Sequence, residues 1–256
     1  MGRQYLQNKR GYTKRKHDTT EVNQSILIVT EGDKTETTYF NWLKKKFRLM
    51  SVRLEIVGEG KDPLRVVEAS VLRYNSSKKE GNQFDSVYCI VDRDKHKSLN
   101  QAKDLCLSKK YSAKFRLILS YPCIEYWFIL HFANDTHPYH QPLEDDVSMG
   151  KLCKSRLKNK YYSNYSDSDL KTLEKFFAEI DNNRLVAIKR AQSIMDDIVN
   201  NDTINPSTML FVPVIHLTSL ATNGLSDVQF QIQAISFQEY EQYILNFFKI
   251  FHRQDL

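Results

Sequence analysis

ILIVTEGDKTETTYF, residues 26–40, decides how the rest of the chain is read. Ile26–Val29 is an unbroken apolar run of the kind carried by a strand buried on both faces. It leads directly into Thr30, Glu31 and Gly32, and then into a polar segment where Tyr39, Phe40, Leu43 and Phe47 recur near helical spacing. This predicts a strand over Ser25–Thr30 and a helix from Thr35 to about Phe47. A buried strand that ends by delivering a carboxylate into a turn raises one question: what does Glu31 face?

Outward from this stretch, Val52–Val57 alternates like a second strand, GEGKDP turns, and Pro63 to about Tyr74 is helical. NSSKKEGNQ reads as a polar loop. Ser86–Val91 is a third strand ending in DRD, Gln101–Ser108 a short helix, and Phe115–Leu119 a fourth strand. Strands alternating with helices imply an α/β fold: a mainly parallel sheet flanked by helices on both faces. Beyond Pro122, CIEYWFILHF is apolar all round and predicts a buried helix, with HPYHQPLEDD a loop after it. Lys171–Glu179, Leu185–Val199 and Phe237–Phe251 carry the clearest later helices. The chain therefore divides into a basic arm (1–24), an α/β core (25–133) and a mostly helical C-terminal part (134–256) packed on the core.

The 256 residues are 41% hydrophobic and 12% aromatic, enough for a substantial core. A net charge of +6 points to an acidic partner, of which nucleic acid is the commonest. Arg3, Lys9, Arg10, Lys14, Arg15 and Lys16 crowd the arm, which is either a solvated tail or a phosphate-binding segment. No apolar run is long enough to span a bilayer, and the arm lacks the apolar centre of a secretory signal. The four cysteines show no CxxC spacing, which argues against structural zinc and for a reducing cytoplasm. There is no Walker A pattern, so any nucleotide hydrolysis would belong to a partner.

IVDRDK is the second informative stretch. Asp92 and Asp94 stand two apart where a buried strand runs out, so an extended backbone points them to one face. Two such charges repel unless a cation sits between them, and carboxylate oxygens suit Mg²⁺ or Mn²⁺. Glu31 ends the first strand and the aspartates end the third. In a parallel sheet those ends share one edge, where open α/β sheets bind ligands. The bland reading makes each acid a solvated or capping residue, and a lone DxD is weak. Strand-ending EG followed by strand-ending DxD is stronger. In phosphatases of the haloacid dehalogenase type the pair ends the first strand, which argues against that family.

ILIVTEG followed by VYCIVDRD resembles the Toprim domain of topoisomerases, primases and OLD nucleases. Three motifs narrow the resemblance to the RloB/AbiLii-like family: ILIVTEGDKTETTYF, SYPCIEYWFILHF (120–132) and NPSTMLFVPVIHL (205–217). Tyr121 stands where Asn is usual, Ile124 where Phe is usual and Asp33 where Glu is common; none of these removes a candidate metal ligand. The resemblance implies a bacterial, Toprim-like, metal-dependent nuclease, often encoded beside an AAA/ABC-type ATPase and associated with phage resistance by abortive infection. It also implies that Ser120 and Glu125, a serine and an acid after the fourth strand, help to build the metal site.

Glu125 lies in the first turn of the helix that Pro122 is expected to open, among Ile124, Tyr126, Trp127 and Phe128. A carboxylate there needs a cation or hydrogen-bond donors; otherwise it is a first-turn acid complementing the helix dipole. Lys34 is either a phosphate-holding lysine or an ordinary surface one. Glu36 is either a second-metal ligand or a first-turn acid. His131 reads as a structural histidine, Lys189 and Arg190 as a solvated face or else the lining of a nucleic-acid groove, and Asn205–Thr208 as a turn with an N-cap.

The site expected is Glu31, Asp92, Asp94 and Glu125 around Mg²⁺ or Mn²⁺, with Glu31 as ligand or general base. Lys34 would act with them in catalysis, and Ser120 and Glu36 would support the site. The function expected is a nuclease acting on DNA, tRNA or other RNA under control of a partner ATPase, with homo-oligomers compatible. The alternative is a non-catalytic nucleic-acid-binding or ATPase-regulated toxin subunit whose site holds metal without turnover.

Overall fold

The structure is a computed structural model that describes residues 24–32, 34–49, 53–58, 62–93, 98–140, 147–221 and 235–254. Strand β1 (Ser25–Thr30) is buried along its whole length, as its apolar run demands. Helix α1 (Thr35–Lys46), β2 (Arg53–Gly58), α2 (Pro63–Lys79), β3 (Ser86–Asp92), α3 (Leu99–Cys106) and β4 (Phe115–Tyr121) follow in order. Pro63 occupies the first turn of α2, and Asp62 caps that helix by accepting from the N–H groups of Leu64 and Arg65.

The sheet has five strands in the order β2-β1-β3-β4-β5. β1 to β4 are parallel; β5 (Ser207–Thr208) pairs antiparallel with Ser120 and Tyr121. From β1 the chain steps outward to β2, then crosses back past β1 to β3 and on to β4. Right-handed crossovers put α1 on one face and α2 with α3 on the other. The direction reverses between β1 and β3, and the crevice outside their carboxyl ends is the ligand-binding position of such sheets.

The remaining helices are α4 (Ile124–Ile129), α5 (Met149–Arg156), α6 (Leu170–Ile180), α7 (Arg184–Asp196), α8 (Phe211–Ala221) and α9 (Phe237–Gln254). A π-helical turn, Leu157–Tyr161, continues α5. An aromatic seam joins this region to the sheet. Tyr39 and Trp42 of α1 pack on Phe177 of α6, and Tyr39 and Phe177 also pack on Phe128 of α4. Trp127 Nε1 donates to the Tyr39 hydroxyl at 2.9 Å. Burying rings of this size is worth about 1.5–3 kcal/mol each, so the seam is a main brace of the molecule.

β5 covers only the carboxyl end of β4. Further down the same strand, the Tyr240 hydroxyl accepts from the Leu117 N–H at 2.6 Å and donates to the Leu117 carbonyl at 3.1 Å. One side chain thus does there what a neighbouring strand would do.

Several expectations need correction. The polar loop NSSKKEGNQ begins later than expected, because α2 runs on to Lys79; buried Ser77 donates to the Tyr74 carbonyl and does not interrupt it. Pro122 precedes α4 instead of opening it, and extended Cys123 is the N-cap. Ser207 and Thr208, expected as turn and cap, form β5, although Thr208 Oγ1 also accepts from the Leu210 N–H. Arg190 is not part of a solvated face: its guanidinium donates to the Leu130 carbonyl at 2.7 Å. The basic arm, apart from Gln24, lies outside the described residues. Among the described residues no helix is long and apolar enough to cross a membrane.

Candidate functional site

The β1–β3 ladder continues one residue past β1, where the Glu31 N–H donates to the Ile90 carbonyl at 2.9 Å. That places Glu31 at the reversal point, and its Oε2 accepts from the Asp92 N–H at 3.1 Å. The carboxylate therefore reaches across the crevice to the last residue of β3. Asp92 is half-buried, and the next residue, Arg93, donates its N–H to the Ser120 carbonyl at 2.7 Å. Asp94, expected beside Asp92, lies outside the described residues.

The turn after β1 explains its glycine. The Thr30 hydroxyl donates to the Gly32 carbonyl at 2.6 Å, tightening the chain, and the Glu36 carboxylate folds back over Gly32. A Cβ at Gly32 would collide with that carboxylate. Glu36 is buried, and its pKa rises from 4.5 to about 7. Burial is the first cause; the charges of Glu125 and Glu31 add to it, and Lys154 opposes them. Glu36 is thus within electrostatic reach of both Glu31 and Glu125.

The sign of that shift gives a pH prediction. A carboxyl with a raised folded-state pKa costs nothing below about pH 4.5, costs more as pH climbs, and reaches its full penalty above about pH 7. Glu36→Gln, in chelator, should therefore stabilise the fold at pH 8 by up to about 3 kcal/mol and change little at pH 4.5. Equal melting shifts at both pH values would contradict it.

Glu125 is 1% exposed, in the first turn of α4. The Tyr165 hydroxyl donates to its Oε1 at 2.9 Å, and the Lys154 ammonium lies 3.5 Å away. Burial works against the charge on Lys154, but Glu125 and Asp167 outweigh it and hold its pKa above the ordinary lysine value. Lys154 also donates to Asp167 at 2.8 Å. Lys34, at the N-cap of α1, donates to the Ser168 carbonyl at 2.8 Å. The Tyr165–Ser168 segment thus lies over the acidic edge, contacting Glu125, Lys154 and Lys34. Lys154 and Tyr165 were not expected from the sequence; their local context, KLCKSR and YSNYSDSD, is ordinary polar chain.

Other expected residues fall elsewhere. Ser120 is buried and its hydroxyl shares a 2.8 Å bond with Thr208, which turns it toward β5. His131 is structural: Nδ1 bonds the Trp127 carbonyl at 3.0 Å, and burial drops its pKa to about 4. Asn205 clamps Tyr139, accepting from its N–H and donating to its carbonyl.

Among the described residues no group of three or more His, Cys, Asp or Glu is arranged to hold a metal ion. The donor chemistry at the sheet edge nevertheless suits a hard cation. Its candidate ligands are carboxylate oxygens, and crowding among them helps to keep Glu36 partly protonated.

No curated protein and no solved structure matches the chain. Residues 26–216 match the RloB-like protein family, a span that holds both strand-end acids and the strand that follows them. The chain belongs to the RloB-like protein family.

Proposed function

We propose that the protein is a Toprim-type, metal-dependent nuclease that cleaves phosphodiester bonds of DNA, tRNA or other RNA. It would act in anti-phage defence by abortive infection, under control of an AAA/ABC-type ATPase. The observation that carries the reading is the Glu31 carboxylate held against Asp92 at the β1/β3 reversal point of an RloB-like chain. Glu31, Asp92, Asp94 and Glu125 are the residues that would hold Mg²⁺ or Mn²⁺. The ion would supply Lewis-acid charge beside the scissile phosphate. Lys34 is exposed at the rim and spends one N–H on Ser168, leaving two for a phosphate oxygen. Glu31 serves either as ligand or as the base that takes a proton from the attacking water.

Purified protein, with and without a candidate partner ATPase of the AAA/ABC type, should be incubated with labelled DNA and total tRNA in Mg²⁺. Cleavage that stops in EDTA is expected; cleavage that persists in chelator rejects the metal-dependent reading.

A second reading, a binding subunit without turnover, is favoured by the engagement of Glu125 with Lys154 and Tyr165. It predicts retention of nucleic acid with no cleavage under any activating condition. In both readings the basic arm adds affinity through counterion release. Deleting residues 1–20 should weaken nucleic-acid binding and flatten its salt dependence without changing the products. An unchanged salt slope would make the arm a tail.

A further inference from the structure

A cavity of about 250 Å³ opens between the amino-terminal halves of β3 and β4 and the helices α8 and α9. Tyr88 and Arg116 are in register across the two strands, and Ser86 lies two residues before Tyr88 on the same face. Val212, Ile215 and Ile235 supply apolar wall. The cavity is separate from the acidic edge: four residues of strand, about 13 Å, part Tyr88 from Asp92.

The polar groups around it differ in what they have left to give. The Tyr88 hydroxyl lies 2.7 Å from His216 Nδ1, and Gln24 Oε1 lies 2.8 Å from His216 Nε2. Burial and the Arg116 charge both lower the His216 pKa and favour the neutral ring. In the Nε2–H tautomer, Nε2 donates to Gln24 and Nδ1 accepts from the Tyr88 hydroxyl, so both ring nitrogens and the Tyr88 proton are engaged. Arg116 is different. Its Nη1 donates to the carbonyls of Ser112 and Phe115, and its plane lies 4.6 Å from the Phe237 ring centroid and 5.0 Å from that of Tyr240. Among the described residues no carboxylate pairs with it.

A guanidinium fixed by two carbonyls and two rings is pre-organised for a planar, two-pronged anion. The volume falls just under the range of about 300–1,000 Å³ typical of drug-sized ligands, and Val212, Ile215 and Ile235 offer an organic body apolar contact that a bare inorganic ion could not use. We infer that this cavity binds a metabolite-sized organic anion, a phosphate ester or a carboxylate. Its charge lies on Arg116 and its apolar or planar body against Val212, Ile215 and Ile235.

Calorimetric titration of the full chain with adenosine monophosphate, phenylacetate and uncharged adenosine tests this and reads no cleavage, so its outcome is independent of the nuclease reading. Saturable binding of at least one anion below about 1 mM is expected, with adenosine at least about tenfold weaker. Arg116→Gln should weaken the anion at least about tenfold. Ser86→Phe, which leaves Arg116 in place and fills the cavity, should do the same without lowering the melting temperature. It decides alone if the arginine variant fails to fold. Absence of binding by both anions at about 10 mM, or binding that survives the substitutions, overturns the assignment.

Discussion

Asp92→Asn is expected to lower nucleic-acid cleavage at least about 100-fold while leaving the fold intact. The Asp92 side chain is half-buried at a strand end, and the bond that ties β3 to Glu31 uses the Asp92 backbone N–H. Asn keeps that N–H and the side-chain shape, removes the charge and exchanges one acceptor oxygen for an amide donor. Stability should change by no more than about 0.5 kcal/mol, a shift of a few degrees at most. The check is a paired measurement of turnover in Mg²⁺ and of thermal melting. Cleavage at the parent rate would remove Asp92 from the chemistry.

Glu125 separates chemistry from architecture through two substitutions. Glu125→Gln retains an acceptor for the Tyr165 hydroxyl, and Lys154, 43% exposed, still has Asp167. The fold should persist, and loss of the charge should reduce cleavage at least about 100-fold and weaken Mg²⁺ binding. Glu125→Ala removes the acceptor as well and leaves a void in packed surroundings. It should cost about 2–4 kcal/mol, seen as a lower denaturation midpoint. A fully active Gln variant beside a destabilised Ala variant would make Glu125 a brace and confine the site to Glu31, Asp92 and Asp94.

Sequence reading went furthest where one local rule governed the outcome. Continuous apolar runs bounded by an acid and a glycine, or by DRD, located β1 and β3, and parallel order alone then put Glu31 beside Asp92. It failed where a long-range partner decided. Ser207 and Thr208 have no strand pattern in two residues and become β5 only because the β4 edge is there to pair with. FVPVIHLTSLA was not read as a helix, yet Pro213 sits in the first turn of α8, where its missing N–H costs little. The cover over the acidic edge was invisible for the same reason: Tyr165 reaches Glu125 across 40 positions of chain.

The tyrosine that closes β4 has a kinetic meaning. Tyr240 meets Leu117 across 123 positions of chain, one of the longest-range contacts made by the sheet. Contacts so distant pay the largest loop-closure entropy and tend to form late. Until α9 docks, the middle of β4 offers an open N–H and carbonyl to any passing strand, the template from which aggregation starts. The molecule is therefore most exposed to misassembly in the interval between completing its parallel core and seating its last helix, and a single phenolic oxygen ends that interval.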